Sequence, residues 1–156
     1  MRLERRTGLI KQETKIFVGG DPLPNELILI ETDAFEHREV KPHFINSCCF
    51  GEDLAEWLRQ KLARLGDGLK ISEPVQEDYG WGLWLRTERT SFWVAISYVG
   101  NGPTEEPAQW AISVAPDYGL SILKRLFAKP RTGELARIRK QIQGVIQLNP
   151  EIKILR

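Results

Sequence analysis

The chain has 156 residues, 42% of them hydrophobic and 28% charged, with a formal net charge of +1. That length fits one domain, which at this size buries about 68–70% of its unfolded surface without a metal or disulfide staple, and the composition excludes a disordered tract or a repeat array. Apolar runs such as Leu27-Ile28-Leu29-Ile30 are strand-sized against the roughly 18 residues a membrane span needs, so no membrane association is expected.

Residues 1–15 are polar and weakly patterned, and the charged start is followed by no apolar segment of signal-peptide type, which favours a cytoplasmic address. Residues 16–18 and 26–31 read as two short strands around the turn formers of 19–25, an N-terminal hairpin. Residues 1–40 are either a peripheral hairpin or an arm of the single domain. Residues 33–42 read as an acidic, exposed connection.

The first strong element is a helix at 52–65. Leu54, Trp57, Leu58, Leu62 and Leu65 recur at helical spacing, with Glu52, Glu56, Arg59 and Ala63 opposite. Glu52 and Asp53 open it and Lys61 and Arg64 close it, which complements the helix dipole; Gly66 suits the left-handed residue after its end. Strands are predicted at 69–75, 81–86 and 91–99, the last two forming a hairpin through 87–90. Phe92, Val94, Ile96 and Tyr98 alternate with Trp93, Ala95, Ser97 and Val99, so both faces are largely apolar and the strand is central. Gly100-Asn101-Gly102-Pro103 is a break, and 109–114 is a further strand that looks half exposed. A turn at 116–119, a short helix at 121–127 and a basic loop at 128–133 lead to a second long helix at 134–147, whose apolar stripe is Leu135, Ile138, Ile142, Val145 and Ile146. Asn149-Pro150 ends it, and 151–155 is a last strand. This order predicts an α+β domain: a mainly antiparallel, twisted sheet with two long helices packed on one face.

Among candidate sites, the aromatic residues Tyr79, Trp81, Trp84, Trp93, Tyr98 and Trp110 come first. Most are expected in the core, but Trp84 is out of phase with Leu83 and Leu85, and Trp93 with Phe92 and Val94. These two are expected on the open sheet face, where an aromatic patch stacks on a partner. Glu77 and Asp78, beside Tyr79 and Gly80, resemble an acid/base pair in outline; the competing reading is a solvated strand-entry loop. His37, His43, Cys48 and Cys49 are zinc-ligand types, but adjacent cysteines cannot easily place both sulfurs on one tetrahedral ion. No metal and no cofactor are expected; a Cys–His nucleophile has only residue type in its favour, and the cysteines read as small semi-buried residues in a reducing compartment.

Charge is unevenly spread. Residues 120–156 hold nine Lys/Arg against two acids, leaving thirteen against nineteen elsewhere, a net of −6. Lys124, Arg125, Lys129, Arg131, Arg137, Arg139 and Lys140 form a basic stretch suited to an anionic partner or to a solvated surface. Lys61 lies within the apolar arc of the first helix, where a lysine usually buries its stem and keeps its amine wet.

Phe50-Gly51-Glu52-Asp53-Leu54 into Trp57-Leu58, then 73–82, then the strand from Phe92 to Tyr98, resemble small bacterial α+β proteins without assigned function. The resemblance covers about residues 43–155 and implies no site residues; partners of toxins or secretion machinery are often of this kind, an analogy of size and fold. The functional expectation is a non-catalytic protein-interaction module, immunity-like or accessory, binding another protein through Trp84 and Trp93 or through the basic stretch. The alternatives are an enzyme at Glu77/Asp78 and a nucleic-acid binder through 124–140. An edge strand, at 151–155 or in the N-terminal hairpin, is available for a homodimer.

Overall fold

The structure, a computed structural model, describes residues 27–47, 49–100, 107–117 and 132–155. The strand expected at 16–18 and the short helix at 121–127 lie outside these residues. The described elements are β1 (Leu27–Glu31), α1 (Glu52–Ala63), β2 (Lys70–Ile71), β3 (Val75–Glu77), β4 (Gly80–Arg86), β5 (Ser91–Tyr98), β6 (Gln109–Asp117), α2 (Thr132–Gln147) and β7 (Lys153–Leu155). They form an α+β domain with one seven-stranded sheet of order β2-β4-β5-β6-β1-β7, β3 pairing with β4 beside β2. Every described strand pair is antiparallel.

Local chemistry accounts for the connections. Thr87 N donates to Thr90 O at 2.9 Å and closes the β4–β5 hairpin. Strands β6 and β7 both run antiparallel to β1 and are therefore parallel to each other. Parallel strands need a crossover, and α2 supplies it. β1 thus sits between β6 and β7, neighbours far away in sequence.

Strand alternation sorts the side chains. One set, Ile28, Ile30, Leu83, Leu85, Phe92, Val94, Ile96, Trp110, Ile112 and Val114, is buried in the same cluster as Leu54, Leu58 and Leu62 of α1 and Ile138, Ile142 and Ile146 of α2. Each such side chain contributes about 1.5–3 kcal/mol on burial. The helix stripes were read correctly at these positions, and Gly66 takes the left-handed φ of 66° expected of it.

Several boundaries and environments differ from expectation. α1 ends at Ala63, with Arg64 as its C-cap, so Leu65 lies beyond the helix and is 45% exposed. The strand expected at 69–75 is two: β2 stops at Ile71, and Ser72 bridges the interruption. Its N–H donates to Trp84 O and its Oγ accepts from Trp84 N, each at 3.0 Å. β6 runs on through Pro116, which sits opposite Phe92. It is not half exposed, because Ala111 and Ser113 are buried along with Trp110 and Ile112. The acidic connection after β1 is not simply exposed either: Phe35 and His37 turn inward and are buried. The His37 ring stacks on Tyr98 at 5.7 Å and meets Trp110 edge-on.

Candidate functional site

The aromatic residues divide between the two sets of side chains as their phase requires. Trp81 and Trp110 are core residues, their indole N–H groups donating to Cys49 O at 2.6 Å and Thr32 O at 3.2 Å. Tyr98 packs edge-on against Trp110 and Phe50. Trp84 and Trp93 belong to the alternate set and are only half-buried. They are direct cross-strand partners, with ring centroids 4.6 Å apart and planes tilted by 51°. Direct pairing of large aromatics is among the more favourable cross-strand contacts.

Trp93 is held flat across β4 by what lies around it. A Cβ on Gly82 would overlap the indole, so glycine is the residue that admits it. The indole N–H donates to Tyr79 Oη at 2.8 Å. Burial pushes the Tyr79 phenol above its ordinary range, the Trp93 hydrogen bond opposes this, and the charge of Glu77 adds to it. Tyr79 therefore stays protonated and keeps a hydroxyl hydrogen to donate.

Beside this aromatic group the alternate set becomes small. Ala95 pairs with Ser113 and Ser97 with Ala111, and all four are buried. Leu27 and Leu29 follow on β1, opposite Ser113 and Ala111, and Leu155 of β7 pairs with Leu29; these leucines are half-buried. A floor of alanine and serine thus separates Trp93 from the leucines across two strand spacings, about 10 Å.

The other candidates are dispersed. Asp78 is exposed and Glu77 half-buried. Their main-chain carbonyls, not their carboxylates, face the Cys49 thiol, at 3.3 Å for Glu77 and 3.7 Å for Asp78. Cys49 is fully buried rather than semi-buried; Cys48 lies outside the described residues. His43 binds Glu52 Oε1 at 2.9 Å, far in role from the buried His37, and among the described residues no three His, Cys, Asp or Glu are grouped to hold a metal. Burial pushes the Glu52 carboxyl up, but hydrogen bonds from Lys41 and His43 outweigh it and hold Glu52 below the usual range. Lys124, Arg125, Lys129 and Arg131 lie outside the described residues. Arg137 is exposed and 3.4 Å from Asp67 Oδ2, while Lys140 is exposed and Arg139 half-buried. Lys61 snorkels, its ammonium 5.9 Å from the Trp57 ring centroid.

Sequence reasoning singled out Trp84 and Trp93 but missed the floor beside them. Its signal was present: small residues at every second position in Ala95-x-Ser97 and in Ala111-x-Ser113-x-Ala115. Compared with protein-family models, with curated proteins and with solved structures, the chain gives no match.

Proposed function

We propose that this chain is a non-catalytic protein-interaction module, immunity-like or accessory in role and cytoplasmic, that docks another protein on the alternate face of its sheet. In this reading both long helices cover one face of a twisted sheet, and the other face is left for the partner. The observation that carries it is the cross-strand pairing of Trp84 and Trp93, both half-buried in the alternate set. Paired half-buried tryptophans are what a partner's apolar side chains engage, and tryptophan is enriched among residues that dominate binding energy. Rigid strands hold the rings in place, so little conformational entropy is lost on docking.

The test is quantitative affinity capture from native extract with the wild-type chain, Trp84→Gln and Ala115→Arg. Ala115 lies opposite Trp93 on β6 and is half-buried, so the arginine projects beside Trp93 without entering the core. A stoichiometric protein captured by the wild type and lost with both variants is the expected result. A partner retained equally by all three removes this surface from the account.

A further inference from the structure

We infer that the groove between the C-terminal ends of α1 and α2 is a second docking site, for an acidic, apolar segment of a partner protein. Such a segment places leucine- or phenylalanine-type side chains next to aspartate or glutamate. The groove has a volume of about 460 Å³ and is lined by Trp57, Lys61, Arg64 and Leu65 on one side and Val145 and Leu148 on the other, among others. The local fold creates it. Trp57 and Lys61, four residues apart, lie along one side of α1, and Leu65 follows just beyond its end. Val145 and Leu148 line the facing end of α2 at a three-residue spacing.

Two features define the occupant. The first is uncovered apolar surface: Leu148 is 84% exposed and Leu65 45%, in a groove that half-buried Trp57 also lines. Single exposed leucines are ordinary, but two that share one concavity with a tryptophan form a patch of the kind that marks interaction sites. The second is charge. Among the described residues, Lys61 and Arg64 line the groove and no carboxylate does. Elsewhere Lys41, Arg59, Arg137 and Lys153 are matched to Glu52, Glu56, Asp67 and Glu31. Neither groove cation has an ion-pair partner among the described residues, Lys61 making only its contact with the Trp57 ring. The two helix ends each contribute about half a negative charge, so two full cations leave the groove positive. An amphipathic segment laid across the groove covers Leu65 and Leu148 together and brings acids to both cations.

This site is independent of the sheet face and is tested apart from it. The probe is a labelled synthetic helical peptide with leucines at i, i+3, i+4 and i+7 and glutamates between them, followed by fluorescence anisotropy. Saturable binding is expected, weakening with added salt because the cations are exposed. It falls about tenfold with Lys61→Glu plus Arg64→Glu or with Leu148→Asp, as loss of complementary contacts requires. Arg64→Glu and Leu148→Asp change exposed residues, and circular dichroism verifies that both fold. Lys70→Glu, a charge reversal at the exposed edge of β2, leaves binding unchanged. The inference is overturned if the peptide does not saturate, if charge reversal has no effect, or if a lysine-for-glutamate peptide binds as well. It is also overturned if laurate fills the groove and the peptide does not, or if sedimentation shows a dimer that Leu148→Asp dissolves.

Discussion

Gly82 lies directly beneath the indole of Trp93, so close that any Cβ at this position would overlap ring atoms Cζ2 and Cη2. The ring's flat placement across β4, its hydrogen bond to Tyr79 and its contact with Trp84 all depend on that missing side chain. Gly82→Ala is therefore expected to destabilise the domain by about 1–3 kcal/mol, as overpacking does, measured by urea denaturation. In a Trp93→Leu background the same substitution costs less, because the clash partner is gone. Equal costs in the two backgrounds would refute the relationship.

The tryptophan pair has a spectroscopic consequence. Two indoles 4.6 Å apart and tilted by 51° couple their transitions and give a bisignate far-ultraviolet circular dichroism signal. Trp84→Phe should abolish that signal while leaving the thermal midpoint nearly unchanged, since Trp84 is only half-buried. An unaltered spectrum would mean that the rings do not hold this geometry.

At the broken edge strand, Ser72 Oγ accepts the Trp84 N–H where the main-chain ladder is interrupted. Ser72→Ala leaves that donor without its partner in a half-buried place, at a cost of about 1–3 kcal/mol. Ser72→Thr keeps the hydroxyl and most of the stability. Hydrogen exchange at the Trp84 amide, faster in the alanine variant and slow in the threonine variant, checks the assignment.

The α1 surface carries a pH-dependent increment. Hydrogen bonds from Arg59 and then Gln60 pull the Glu56 carboxyl to about 2 from an ordinary 4.5. A depressed carboxyl stabilises the fold above its unfolded value and loses that contribution as pH falls through the folded one. The relevant window therefore runs downward from 4.5 to about 2. The pair is solvent-exposed, so its worth is that of a helical surface pair, about 0.3–0.5 kcal/mol. Glu56→Gln should be less stable by that amount at neutral pH, with the gap closing through the window. A gap independent of pH would assign the effect to packing instead.

Much of the fold was legible because periodicity and packing agree. The stripes of α1 and α2 and the alternation of β4 and β5 each name the residues that are buried. The same alternation placed Trp84 and Trp93 together outside the core. What escaped the sequence depends on long-range pairing. β6 reads as half exposed because Gln109, Ala111 and Ser113 make up its second face, yet with the strand between β5 and β1 Ala111 and Ser113 are buried. Phe35 and His37 lie in a stretch of acids, and only the approach of Trp110 and Tyr98 shows why they turn inward. The single strand expected at 69–75 breaks after Ile71 and rejoins β4 at Val75, with Pro74 in the interruption, where an edge strand tolerates a proline.

The most direct test of the docking face is site-specific photo-crosslinking in the native cell, with the crosslinker at position 115 and, as a control, at exposed position 143 on α2. The account predicts a discrete protein adduct from 115 that 143 does not give and that Trp84→Gln suppresses. The same adducts from both positions, or none from 115, would contradict it.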